Sequence, residues 1–148
     1  MNITIKNMTK ENIADYAKLY MSVFNSPPWN DSWSEETAVS RISEMMSSET
    51  FIGKAAYIDD TFVGIIMGQS EQGDVSVQFH LLEFCVKTTA QNKGIGTSLM
   101  NELTDELMSQ GITHIYLITS HGEKTEGFYS RRGFKAVSEI VMVNDIDQ

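Results

Sequence analysis

The chain has 148 residues, of which 41% are hydrophobic, and it carries a formal net charge of −9 at pH 7. A chain of this length and composition excludes a disordered segment and buries a core without disulfides or metals, so we expect one domain spanning residues 1–148. The acidic charge disfavours nucleic acid as a partner, although an acidic surface also simply keeps a cytosolic protein soluble.

The sequence shows no sign of export or membrane insertion. The first residues, MNITIKNMTKEN, lack the apolar core of a signal peptide, and no run approaches the roughly 20 apolar residues of a membrane span. Cys85 is the only cysteine and cannot form an internal disulfide. His80, His114 and His121 are not spaced as a metal motif, so no metal site is expected. We expect a cytoplasmic protein with no membrane partner, and the sequence leaves open whether it forms a homodimer.

The chain begins with a pattern typical of one strand and two helices. Residues 2–6 alternate and are β-branched, which predicts a short strand. Thr9 is the predicted cap of a helix that ends at the prolines of NSPPWND, and a second helix is predicted from Ser34 to Ser48. The apolar positions of the first helix follow helical spacing: Ile13, Ala17, Tyr20, Met21 and Phe24.

A hairpin is predicted next. Residues 51–58 and 61–69 are rich in aromatic and β-branched residues, and they meet at the turn pair Asp59-Asp60. Gly68 and Gly73 are expected to end the second strand. Residues 75–87 are again strand-like, and their run HLLEFCV, nearly continuous in apolar residues apart from Glu83, predicts a central strand buried on both faces.

The second half of the chain alternates helices and strands. A helix lined by Ile95, Leu99, Leu103 and Leu107 is predicted to end at Gly111. Residues 112–119 are the next predicted strand, a short helix passes through Phe128 and Tyr129 to Gly133, and residues 134–143 form a last predicted strand. A meander followed by this alternation predicts an α/β fold with a mixed sheet flanked by helices.

The stretch QNKGIG, residues 91–96, lies between the apolar strand and the longest helix. Backbone N–H groups at a helix N-terminus carry partial positive charge and lack internal partners, which suits an anion. Lys93 adds a full charge, and glycines let a phosphate approach the main chain. The stretch matches neither the Walker motif nor the G-x-G-x-x-G motif, so the glycines alone are equally compatible with a tight turn.

The segment FCVKTTAQNKGIGTSLM, followed some thirty residues later by FYSRRGF, resembles the GCN5-related N-acetyltransferase (GNAT) family. That family carries Q/R-x-x-G-x-G/A at the start of its main helix, and Gln91, Gly94 and Gly96 match it. The resemblance implies acetyl-CoA as co-substrate, with its pantetheine arm along the main chain of Phe84, Cys85 and Val86. It implies a pyrophosphate cradle formed by Gln91, Asn92, Lys93, Gly94, Ile95, Gly96 and Thr97.

Glu83 is the candidate general base, because an ammonium must lose a proton before it attacks a thioester and Glu83 is the charged residue of the buried run. Its alternative is an ordinary strand glutamate that faces solvent or pairs with a lysine. A main-chain N–H near Phe84 or Cys85 is expected to stabilise the oxyanion. Cys85 as a nucleophile is the rival interpretation, but core packing is favoured because no histidine pattern accompanies it.

Tyr129, in FYSRRGF, matches the family's general-acid tyrosine, which protonates the departing CoA thiolate. The alternative is an aromatic residue that only packs beside Phe128. Gly122 stands where family members commonly carry an asparagine that contacts the pantetheine arm. Thr119, Ser120 and His121 are the nearby polar residues available to replace that contact.

The acceptor is expected to contact the loop SPPWNDSW, where Trp29, Asp31 and Trp33 combine aromatic faces with a carboxylate suited to cationic amines. The alternative is that both tryptophans anchor the loop on the core. The loop loosely resembles those of aminoglycoside and related small-amine acetyltransferases. We therefore expect acetyl transfer to a small cationic amine, aminoglycoside- or polyamine-like. A protein or peptide acceptor, a non-catalytic acyl-CoA-binding module and a nucleotide-binding protein remain as alternatives.

Overall fold

Five strands form one mixed sheet in the computed structural model, which describes residues 1–146. The strands are β1 (Ile3–Asn7), β2 (Phe51–Ile58), β3 (Thr61–Gln72), β4 (Val77–Val86) and β5 (Ile115–Tyr116), and the helices are α1 (Ile13–Phe24), α2 (Glu35–Met46), α3 (Ile95–Ser109) and α4 (Glu126–Ser130). The spatial order is β1-β2-β3-β4-β5, with β1 to β4 antiparallel and β5 parallel to β4. This confirms the predicted α/β class.

The chain groups into two compact units, Met1–Leu117 and Ile118–Gln148. The first unit contains the sheet and α1 to α3, and the second contains α4. No helix within residues 1–146 combines the length and the apolar character needed to cross a bilayer.

The two N-terminal helices begin differently. Ser34 caps α2 as predicted: its Oγ accepts the Thr37 N–H at 3.0 Å, while Thr37 Oγ1 accepts the Ser34 N–H at 2.9 Å. Thr9 occupies the N-cap position of the 3-10 turn that leads into α1, but its side chain caps no backbone N–H. Its hydroxyl accepts the Asn12 side-chain amide at 3.0 Å instead of a backbone N–H, and a turn of 3-10 helix, Lys10–Asn12, precedes α1.

The helices of the first unit cover the two faces of the sheet. Along β3, Ile65 and Met67 belong to the core cluster formed with α1 and α2. Because successive strand residues face opposite sides of the sheet, Gly64 faces away from the side occupied by Ile65 and Met67. Gly64 lies under α3, since a Cβ at this position would stand 3.2 Å from Leu99 Cδ1. The glycine therefore permits the close approach of α3, whose buried residues are Ile95, Leu99, Met100, Leu103 and Leu107.

The predicted hairpin is present, but two details of the sheet differ. Asp59 and Asp60 form its turn with φ of 46° and 72°. Gly68 does not end β3, which continues to Gln72 because its residues remain paired with β4. Burial of β4 on both faces is only partly correct: Phe79, Leu81 and Cys85 are buried, whereas the intervening residues are half-buried.

The C-terminal strand predictions are largely wrong. Only Ile115–Tyr116 of residues 112–119 form a strand, and they are half-buried. Residues 134–143 form no strand, and the large apolar side chains from Val137 to Val143 are exposed. The reason is that a β-rich sequence becomes a strand only where a neighbour supplies hydrogen bonds and packing. The short helix near Tyr129 is confirmed as α4, with Gly133 following at φ 92°.

Candidate active site

Glu83 lies on β4 and is held by two donors from different helices. The Tyr20 hydroxyl of α1 donates to Glu83 Oε2 at 2.8 Å, and Arg41 Nε of α2 donates to the same oxygen at 3.1 Å. The Glu83 side chain is 11% exposed, and that of Arg41 is 41% exposed. Glu83 is therefore not a solvent-facing strand residue, and its ion-pair partner is an arginine rather than the lysine of the alternative.

The environment of Glu83 sets opposing electrostatic effects on its carboxyl. Burial raises the pKa of Glu83 above its ordinary value, while the Tyr20 hydrogen bond and the Arg41 charge lower it. The nearby charge of Asp31 raises the pKa further. Burial has the largest effect, so the carboxylate is more basic than an exposed one, as a proton acceptor requires.

A β-bulge aims Glu83 at the helices. Gly68 pairs with Leu81 and Met67 with Glu83, so Leu82 is an extra residue on β4. Leu82 and Cys85 contact the α1–α2 core cluster, whereas Phe79 and Leu81 lie outside it. The bulge therefore shifts the alternation of β4 and places the residues after it in a new register toward α1 and α2.

Cys85 is buried in that core. Burial, followed by the charge of Glu83, raises the pKa of its thiol well above the ordinary value. A thiol in such surroundings is a poor nucleophile at neutral pH, which agrees with the packing role preferred for Cys85.

The loop between α1 and α2 is folded onto an aromatic row. Trp29 meets Phe24 edge-on with 5.1 Å between ring centroids, Phe24 meets Tyr20 at 4.8 Å, and Tyr20 meets Trp33 at 4.9 Å. Trp33 Nε1 donates to Asp31 Oδ2 at 3.1 Å. Both tryptophans therefore anchor the loop at the two ends of the row, and Tyr20, the hydrogen-bond partner of Glu83, lies inside the row between Phe24 and Trp33.

The QNKGIG loop is a sharp turn into α3. Asn92 and Gly94 have φ of 63° and 82°, and Gly94 is the N-cap of α3 without a side-chain cap. A Cβ at Gly94 would meet nothing within 4 Å, and Lys93 is exposed. The glycine is thus needed for backbone conformation, and the open side of the turn has room for an anion.

The loop is tied to the strand that precedes it. Gln91 Nε2 donates to the carbonyl oxygen of Val86 at 3.1 Å. The pairing of β5 with β4 covers only Phe79 and His80, so residues 84–86 lie beyond that ladder. The two predicted acetyl-CoA segments, residues 84–86 and 91–97, are therefore brought together at the β4–α3 junction of the first unit.

Tyr129 lies on α4 in the second unit. Its ring packs edge-on against Phe128 and Phe134, at centroid distances of 5.4 and 5.5 Å. Gly122, at φ 139°, precedes this helix in a turn where Thr125 Oγ1 donates to the Ser120 carbonyl at 2.8 Å. His121 is fully exposed and pairs with Glu126 at 2.8 Å.

Sequence reasoning missed Tyr20 and Arg41 as members of this site. Helical spacing places Tyr20 on the apolar face of α1, and the sequence contains no signal that its hydroxyl has a polar partner. The one sequence signal that Arg41 has an acidic partner is that it is the sole basic residue within α2.

The chain matches the family model described as the acetyltransferase (GNAT) family over residues 13–134. Among solved structures, an aminoglycoside acetyltransferase, HMB0005, from an uncultured soil metagenomic sample is 15% identical with a TM-score of 0.72, covering 97% of this chain and 99% of its own. A ribosomal-protein-alanine N-acetyltransferase from Brucella melitensis biovar Abortus 2308 is 14% identical with a TM-score of 0.77 and the same coverages, 97% and 99%. A predicted acetyltransferase with acetyl-CoA from Clostridium acetobutylicum is 11% identical with a TM-score of 0.75, covering 99% of each chain. A comparison with curated protein sequences finds no significant match.

Proposed function

The chain belongs to the acetyltransferase (GNAT) family, and on this premise we propose that it transfers the acetyl group of acetyl-CoA to the primary amine of a small cationic acceptor. Aminoglycoside- and polyamine-like amines are the class we propose. The observation that carries the proposal is Glu83, a mostly buried carboxylate held by Tyr20 and Arg41 beside the aromatic loop.

The proposed chemistry is direct transfer. Glu83 accepts the proton of the acceptor ammonium, directly or through a water, and the resulting amine attacks the thioester carbonyl. A main-chain N–H of β4 near Phe84 or Cys85 stabilises the oxyanion, and Tyr129 protonates the CoA thiolate. No covalent enzyme intermediate is needed, which agrees with the buried, weakly acidic thiol of Cys85.

The residues of the β4–α3 junction fit acetyl-CoA. The Gly94 turn is open where a side chain would stand, and the N-terminus of the fifteen-residue helix α3 lacks a side-chain cap. Such a terminus favours a pyrophosphate. Lys93 is exposed beside it and adds a positive charge.

The charges around Glu83 support a cationic acceptor. Glu83 and Asp31 carry two negative charges against the single positive charge of Arg41, so one negative charge remains. Trp29, which is 39% exposed although it anchors the loop, adds an aromatic surface that attracts cations. An aminoglycoside acetyltransferase among the structural neighbours agrees with this class without fixing it.

The test is a thiol-release assay with acetyl-CoA and a panel containing spermidine, an aminoglycoside, a peptide with an N-terminal alanine, and a neutral amine. We expect the cationic small amines to have the highest kcat/KM. Glu83→Gln should lower turnover by about 10²- to 10⁴-fold, the usual range for acid–base catalysis. The matched control is Glu44→Gln, which removes the same negative charge from an exposed carboxylate on α2.

Two other outcomes favour other functions. Preference for the peptide favours a protein acceptor, for which the ribosomal-protein-alanine N-acetyltransferase neighbour is the structural precedent. Acetyl-CoA binding by calorimetry with no thiol release for any amine favours a non-catalytic acyl-CoA-binding module.

A further inference from the structure

We propose that Tyr20 and Arg41 are positioning residues that hold Glu83 by Oε2 and thereby present its other oxygen, Oε1, as the proton-accepting atom. This inference rests on the proposed function, because it assigns roles around the base of that reaction. Neither residue belongs to the sequence motifs that carry the resemblance to the family.

The two donors converge on one oxygen. Tyr20 Oη and Arg41 Nε both donate to Oε2, at 2.8 and 3.1 Å. Within residues 1–146 no donor contacts Oε1, yet Oε1 is not among the buried atoms that lack a partner. Oε1 therefore retains some solvent-accessible surface in a side chain that is 11% exposed, and a carboxylate held at Oε2 leaves Oε1 as the oxygen available for an amine or a water.

The two donors are suited to a fixed role. A guanidinium presents its N–H donors in a fixed, planar arrangement. Burial, and after it the charge of Glu83, raises the pKa of Tyr20 well above its ordinary value, so the phenol remains a donor throughout the working pH range. The Tyr20 ring is packed between Phe24 and Trp33, which limits its movement.

The two donors, Tyr20 and Arg41, are called the clamp, and they also oppose the effect of burial on the pKa of Glu83. The charged groups that act on Glu83 are Arg41 of α2 and Asp31 of the loop, while Tyr20 of α1 acts through its hydrogen bond. Cys85 on β4 is a neutral neighbour whose own pKa Glu83 helps to raise. Hydrogen bonds to the charged form of a carboxyl lower its pKa. Removal of either donor should therefore raise the pKa of Glu83, because burial and Asp31 are then less opposed.

The test uses Tyr20→Phe, Arg41→Gln, Arg41→Lys and Glu83→Gln in the full chain, with Tyr57→Phe as a control on β2. Glutamate labelled with ¹³C at the carboxyl is titrated by NMR in the free enzyme, and Glu83→Gln assigns the Glu83 signal. The pH dependence of kcat/KM is then measured with the best amine of the panel. Thermal melts select folded variants, and Arg41→Lys covers the case in which Arg41→Gln fails to fold.

In Tyr20→Phe and Arg41→Gln we expect the Glu83 midpoint to rise by about one pH unit or more, which is a tenfold change in the protonation equilibrium. On the acidic side kcat/KM should fall about tenfold and recover to within about threefold of the parent on the alkaline plateau, because each pH unit is a factor of ten. Arg41→Lys should restore part of the shift, and Tyr57→Phe should change neither curve.

Three results would overturn the inference, and they differ in what else they reject. An unchanged Glu83 midpoint in folded Tyr20→Phe and Arg41→Gln rejects the positioning of Glu83 by these two residues and leaves the proposed function standing. A loss of activity that is equal at every pH assigns both residues a merely structural role. Full activity in Glu83→Gln rejects Glu83 as the base of the proposed function, while the NMR titration still decides whether the clamp exists.

Discussion

Burial of the Glu83 carboxylate lowers the stability of the fold, and the same burial makes the carboxylate useful for chemistry. A buried carboxylate loses hydration, and only charged or hydrogen-bonding partners offset that loss. Here the partners are Tyr20 and Arg41, which come from two helices rather than from β4 itself. A hydrophobic residue at position 83 would avoid the cost altogether. A carboxylate buried with two donors from separate helices is what the proposed role of Glu83 as a base requires.

The Tyr129 hydroxyl is the next residue whose proposed role can be separated from its packing. Tyr129→Phe keeps the ring contacts to Phe128 and Phe134 but removes the phenolic proton. We expect kcat to fall by about 10²- to 10⁴-fold, with substrate binding little changed, because the loss occurs in the transition state. Steady-state kinetics between about pH 6 and 9 and a thermal melt measure both effects over the range in which a phenol stays protonated.

Tyr57→Phe is a suitable control for Tyr129, because Tyr57 on β2 packs against Phe62 and lies outside the proposed site. If Tyr129→Phe retains near-normal kcat with chemistry shown to be rate-limiting, Tyr129 is a packing residue and the thiolate takes its proton from water.

Cys85 is expected to be chemically silent in the folded protein. Its thiol is buried, and burial raises its pKa, so little thiolate is present at neutral pH. A thiol reagent should react slowly with the native protein and quickly in denaturant, and Cys85→Ala should keep kcat within several-fold of the parent. Rapid labelling of the native protein, or a loss of turnover above a hundredfold in a folded Cys85→Ala, would instead support a nucleophilic cysteine.

At the scale of elements, the junction of β4 with α3 joins the proposed base, Glu83, to the proposed phosphate cradle. Gly96 is half-buried in the first turn of α3. Gly96→Gln should weaken acetyl-CoA binding because a long side chain obstructs the phosphates. The fold should survive, since glutamine is the better helix former by roughly 0.5 to 1 kcal/mol.

Calorimetric titration with acetyl-CoA, alongside a denaturant melt, measures the two effects of Gly96→Gln separately. Asn101→Gln, an exposed position further along α3, is the matched control. Unchanged affinity in the folded Gly96→Gln protein would rule out this turn as the pyrophosphate site.

The elements also show which parts of the structure could be predicted. Local signals sufficed where the chain doubles back at once, as at the Asp59-Asp60 turn, and where a cap is local, as at Ser34. They failed for residues 134–143, where β-propensity had no partner strand to satisfy it. Glu83 was identifiable as a charge in an apolar run, but its donors lie 63 and 42 residues away in sequence. Only the packing of α1 and α2 on the sheet brings them together.

At the scale of the whole molecule, the net charge of −9 is expected to affect how the acceptor arrives. A negative protein attracts cations over a distance set by the salt concentration, about 30 Å at 0.01 M and about 3 Å at 1 M. The proposed acceptor is a cation, whereas acetyl-CoA is an anion, so salt should act on the two substrates in opposite directions.

We therefore expect kcat/KM for a cationic amine to fall several-fold between about 0.01 M and 0.5 M salt, because screening shortens the range of attraction. The change should lie in KM for the amine at saturating acetyl-CoA, since screening weakens encounter and binding rather than the chemical step. A neutral amine of similar size, assayed in the same buffers, should show little dependence. If the cationic and neutral amines respond alike, the acidic charge serves solubility and does not attract the acceptor. Exclusive acetylation of neutral or acidic acceptors would count against the cationic class itself, because the residual negative charge around Glu83 attracts no neutral substrate and repels an acidic one.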